Sequence, residues 1–108
     1  MKRQAFDRVE FVEDHPFPSK MRDDTIYIEG DGKTLGKVFY AFLLCPCGCT
    51  NKSGDRTLIA LPLYNEKKIC SPSWQISSLD PVTLSPSIHQ IRGCKSHFFI
   101  QQNRVKWV

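Results

Sequence analysis

The sequence predicts a single, mostly β domain with little helix. Three observations lead there. Its apolar residues fall in short runs bounded by Gly, Pro, Asn and Asp. No window of about eleven residues repeats its apolar positions at the 3.6-residue period of an amphipathic helix. Several connecting stretches are punctuated by proline, which interrupts helices. A length of 108 residues suits one domain, residues 1–108.

Taken in order, residues 1–24 are expected to form an extended N-terminal arm or edge strand, because Pro16 and Pro18 discourage a helix in "AFDRVEFVEDHPFPSK". Thr25–Glu29 is β-rich, and Gly30 and Gly32 mark a turn after it. Lys37–Leu44 is the strongest strand and runs straight into "CPCGC". The run "RTLIALPLY" then forms a hairpin with it across the CPCGC–NKSGD connection. A short strand is expected at Trp74–Ser77 and another at Ser87–Ile91, the latter inside a proline-punctuated stretch. A final hairpin pairs His97–Gln101 with Arg104–Trp107 around a Gln102–Asn103 turn. The picture is a small antiparallel sheet without internal repeats.

Composition narrows the classes of function. Hydrophobic residues are 41% and charged residues 24%, the balance of an ordinary globular chain. No apolar run approaches 18 residues, so no transmembrane helix and no membrane partner is expected. The start, "MKRQAFDRVEFVEDH", has basic residues but no apolar core, so it does not read as a secretory signal, and the cytoplasm is the expected compartment. A net charge of +4 is low for a nucleic-acid binder, although Lys95, Arg104 and Lys106 interleave with Phe98, Phe99 and Trp107 near the end.

Three of the five cysteines, Cys45, Cys47 and Cys49, lie within five residues. Cysteines two apart cannot easily bridge each other, and an odd total leaves a thiol over. In a reducing compartment such clusters read as metal ligands or reactive thiols, and metal binding is the better answer for three so close together. Residues i and i+2 of an extended segment face the same way, so Cys45 and Cys47 converge on one ion, and Gly48 lets the chain turn to bring Cys49 to it. Cys94 and His97 in "GCKSH" are the available fourth ligands, with Gly93 permitting a tight turn. The expectation is a closed, structural zinc held by Cys45, Cys47, Cys49 and Cys94. Cys70 stands apart from it.

Serine and histidine supply a second constellation. "TLSPSI" holds Ser85 and Ser87, and "CKSHFFI" holds His97 beside an expected ligand. Either serine could meet His97 if their strands are neighbours, and a serine within hydrogen-bond reach of a base is an activated nucleophile. The competing readings are a non-catalytic zinc module that binds protein or nucleic acid, and a zinc hydrolase with His97 as a ligand. Trp74, in a Pro/Ser-rich stretch, either caps the core or lines a substrate groove.

"CPCGC", Trp74, "TLSPSI" and "CKSHFFI…NRVKW", in this order over roughly residues 38–107, resemble a bacterial and phage family of small zinc-binding proteins. Its members are encoded beside a ubiquitin-like protein and E1- and E2-like enzymes. It is similar to the peptidases of bacterial ubiquitination-like pathways. The resemblance implies a serine-type peptidase that trims or deconjugates the ubiquitin-like protein, with those E1- and E2-like enzymes as further partners. It also implies Ser87 as nucleophile, with Ser85 as its rival, His97 as base, and zinc on the CPCGC cysteines and Cys94. A third triad member is not implied; Asp80 is the nearest carboxylate in sequence, and a dyad is equally open. Thr50 stands where phage relatives carry glycine, a departure in the loop and not at a ligand.

Overall fold

The computed structural model describes residues 2–68, 70–90 and 94–108. The described residues form nine strands: β1 Arg8–Val12, β2 Thr25–Gly30, β3 Val38–Leu44, β4 Leu58–Tyr64, β5 Trp74–Leu79, β6 Val82–Ser85, β7 Ile88–His89, β8 His97–Gln101 and β9 Arg104–Trp107. Helix among the described residues is limited to two three-residue 3-10 turns, Pro18–Lys20 and Leu35–Lys37. The mostly β expectation therefore holds. No helix among the described residues is long and apolar enough to cross a membrane.

The strands form two sheets, β1-β2-β3-β4-β5-β6 and β7-β8-β9. The expected hairpin between residues 37–44 and 56–64 is present as β3–β4, with Tyr40 opposite Pro62 and Leu44 opposite Leu58. The closing hairpin also forms, with Gln101 opposite Arg104. Its two turn residues, Gln102 and Asn103, have φ of 51° and 64°, the left-handed pair that matches strand twist in a two-residue turn. Two pairings are not antiparallel: β1 with β2 and β4 with β5 run parallel. Parallel partners need a crossover instead of a tight turn, so local spacing gives no sign of them. β6 is a strand within the stretch expected only as a proline-punctuated connection; it pairs with β5 across a turn at Asp80–Pro81. Of the strand expected over Ser87–Ile91, β7 realises Ile88 and His89, and Ile91 lies outside the described residues.

The N-terminal segment is extended but not loose. Phe6 and Met21 are buried, and Gln4–Phe6 bonds along β9 through Val105 N–H to Gln4 O at 2.9 Å and Phe6 N–H to Asn103 O at 2.7 Å. β1 forms the edge of the larger sheet.

Strand parity sorts the core. On β2 and β3, Ile26, Ile28, Ala41 and Leu43 face the main core, while Tyr27, Phe42 and Leu44 face a smaller cluster with Met21 on the other side of the sheet. The main core continues through Ile76, Val82 and Leu84 to Ile88, Phe98 and Ile100, so the two sheets share it. Cys45 keeps the parity of Leu43 and arrives fully buried at the edge of this core. Asn103 clamps the sheets together: its N–H donates to Val82 O and its side-chain oxygen accepts from Val82 N–H, at 2.9 and 2.7 Å.

Candidate functional site

The CPCGC segment turns where its glycine allows. Gly48 has φ of +87°, and its N–H closes the turn on Cys45 O at 3.1 Å. Cys45 N–H and Thr57 N–H bond across to Thr57 O and Cys49 O, so the β3–β4 ladder continues around the loop. Arg56 holds the same loop from beneath. Its guanidinium donates to Cys45 O at 2.8 Å and to Cys49 O at 3.4 Å, and pairs with the Asp23 carboxylate.

This places Cys45 Sγ 3.4 Å from Cys47 Sγ and 3.5 Å from Cys94 Sγ. The sulfurs of Cys45, Cys47, Cys49 and Cys94 all lie within 4.8 Å of one another, an arrangement that could hold a metal ion. These are the four cysteines expected from the sequence. None is in a disulfide, and Cys70 is exposed and outside the group. The tight turn expected at Gly93 lies outside the described residues.

The thiols are electrostatically uneven. Burial pushes the Cys45 thiol well above its ordinary range, and burial also raises Cys49. At Cys94 burial works the same way, but it is outweighed by hydrogen bonds from the Ser96 hydroxyl and backbone and by the Cys49 and Cys47 thiols. The net effect lowers Cys94 to about 6. Ser96 Oγ sits 3.1 Å from Cys94 Sγ and 3.9 Å from Cys45 Sγ. It is thus a polar partner of the thiol group, one residue before His97.

The second constellation is on β7 and β8. Ser87 immediately precedes β7, and His97 opens β8. Ser87 Oγ and His97 Nε2 are 2.7 Å apart, both half-buried. Trp74 Nε1–H donates to Ser87 O at 3.2 Å and so fixes the serine backbone from β5. Trp74 also packs, half-buried, against the main core, as expected of a core cap.

The remaining expected residues fall elsewhere. Ser85 is exposed at the end of β6, opposite Gln75, and makes no hydrogen bond to His97. Asp80 lies in the β5–β6 turn, at the other end of β6 from Ser87. Six residues, four of them the strand β6, separate them. Among the described residues no carboxylate hydrogen-bonds the His97 ring. His97 lies outside the four-sulfur group, which removes the basis for a zinc hydrolase with His97 as ligand. Phe98 is fully buried, so the aromatic and basic residues near the end do not form a continuous stacking platform for nucleic acid.

His89 completes the neighbourhood. It lies directly opposite His97 in the β7–β8 register, and the two rings stack with centroids 4.4 Å apart and planes 13° from parallel. It belongs to no motif. Its one signal in the sequence is the two-residue step from Ser87, which puts both side chains on one face of a strand.

The model of a family described as "Bacterial ubiquitination-like system serine protease (BubE)" matches residues 11–108. No curated protein and no solved structure matches the chain.

Proposed function

Because the chain belongs to the family of bacterial ubiquitination-like system serine proteases, we propose that Ser87 is its nucleophile and His97 its general base. The substrate we propose is a bacterial ubiquitin-like protein, processed at its C-terminus or removed from conjugates. The observation that carries this reading is the 2.7 Å contact between Ser87 Oγ and His97 Nε2, within hydrogen-bond reach for proton transfer.

In the reaction, His97 Nε2 accepts the hydroxyl proton as Ser87 Oγ bonds to the scissile carbonyl carbon. The carbon–nitrogen bond then breaks, and the same proton passes to the leaving amine. Water hydrolyses the acyl-enzyme with His97 again as base. The Ser87 N–H has no hydrogen-bond partner among the described residues and is free to donate to the oxyanion; Pro86 has no N–H to offer. β7 is an outer strand of its sheet. An extended C-terminal tail adding along it would bring its carbonyl to Ser87. The reaction runs as a Ser–His dyad.

Cys45, Cys47, Cys49 and Cys94 would hold the ion, and four sulfur donors without a histidine or carboxylate suit a closed zinc site. When bound, zinc supplies charge for the thiolates and folding free energy, with no open position for water. Ser96, bonded to the thiol of Cys94 and adjacent to His97 in the chain, would carry that order to the base. The free thiols suit the reducing cytoplasm, where the E1- and E2-like enzymes of the same system would be partners.

The test uses a ubiquitin-like precursor carrying a C-terminal extension, with cleavage, bound metal and melting temperature measured on three variants. Ser87→Ala and His97→Ala should each lose cleavage by several orders of magnitude, with metal content and melting temperature near wild type. Ser85→Ala should remain active. Full activity in both serine variants overturns the serine-peptidase reading and leaves a non-catalytic zinc module. Loss only in Ser85→Ala moves the nucleophile two residues back.

A further inference from the structure

We infer that His89 is a positioning residue for the His97 base, acting by stacking on its imidazole; this rests on the reading of Ser87 and His97 above. A base is effective only if its accepting nitrogen stays on the line to the nucleophile. The backbone fixes where His97 starts, but rotation of its ring about χ2 is soft, because that torsion has broad minima. Among the described residues no carboxylate hydrogen-bonds that ring to fix its plane. The contact that does so is the His89 ring, 4.4 Å away and 13° from parallel.

The register makes the contact a built one. Gln90 N–H bonds Ser96 O at 2.9 Å, which makes 90 and 96 a bonded pair and leaves His89 and His97 as the closer, non-bonded pair beside it. His89 is held two residues from Ser87 on the same strand face, so one short strand presents the nucleophile to the Nε2 edge of the base and an aromatic face to its plane. His89 is itself exposed, and among the described residues it makes no hydrogen bond through its side chain and no core contact that would explain its placement.

The experiment reads the serine directly with a fluorophosphonate probe. In that reaction the Ser87 Oγ–P bond forms, the P–F bond breaks, fluoride leaves and the hydroxyl proton passes to His97. His89→Ala should lower the limiting labelling rate by about tenfold, with half-saturation and melting temperature unchanged. His89→Phe keeps a stacking ring without a nitrogen and should recover most of the rate. Wild-type labelling in His89→Ala overturns the inference. So does His89→Phe as slow as His89→Ala, because the imidazole nitrogen and not the stack would then be what matters. Wild-type labelling in Ser87→Ala would instead sink the underlying serine assignment, an outcome distinct from either.

Discussion

Losing one thiol of the four-sulfur group should unfold the chain. At about 0.05–0.15 kcal/mol per residue, 108 residues imply a total stability of roughly 5–16 kcal/mol. A structural zinc contributes about 10–16 kcal/mol in small domains. The two quantities are comparable, so the fold has no margin from which to absorb loss of the ion. The geometry says why the contribution is not local. Cys45 lies fully buried at the end of β3, and Cys94, 49 residues later, lies between β7 and β8, so an ion held by both would tie the two sheets. Cys47→Ala leaves three sulfurs, one short of a closed tetrahedral site. Metal should be about one ion per chain in the wild type, measured by a chromogenic chelator after thiol modification, and absent in Cys47→Ala. Circular dichroism should show no cooperative melt for the variant. Each ligand must shed a proton to bind, so acidification should release the ion and chelator should act faster as the pH falls. A soluble Cys47→Ala protein melting cooperatively at the wild-type temperature would refute the reasoning and make any metal peripheral.

Two further outcomes follow from the supports of the serine. Trp74→Phe keeps the ring but removes the donor to Ser87 O. One net hydrogen bond is about 1 kcal/mol, or about 4–8 °C in melting temperature for a domain near this size, and fluorophosphonate labelling should slow several-fold; unchanged labelling would show that the indole does not hold the serine. Phe98→Ala should cost about 3–5 kcal/mol, because Phe98 is fully buried between the sheets and tilts against Trp107 at 5.3 Å. A urea midpoint within error of wild type would contradict that packing.

The parts of this molecule legible in its sequence are those with short-range causes. Glycine at 48 and a two-residue step between thiols suffice to foresee the sulfur cluster, and Gln102–Asn103 between two β-rich runs suffices for the last hairpin. The Ser87–His97 pair was visible as two residue types on neighbouring strands, though spacing alone did not separate Ser87 from Ser85. What the sequence hid depends on partners distant along the chain. β1 and β5 join parallel neighbours through crossovers, and β6 is a four-residue strand between Pro81 and Pro86 whose pattern is too short to stand out. Arg56 reaches Asp23 and the cysteine loop together, and His89 faces His97 only once the register is set.

The serine and its histidine are ten residues apart, whereas Cys45 and Cys94 are 49 apart. Closing a flexible loop costs an entropy that grows as the logarithm of its length, so bringing the sulfurs together costs about 1.4 kcal/mol more than bringing the serine to the histidine. The Ser87–His97 pair is therefore a nearly local structure, formed where β7 pairs with β8. The rest of the chain acts as its mount, and the sulfur cluster, with an ion bound, would be the bolt that closes the long loop between β7–β8 and the larger sheet.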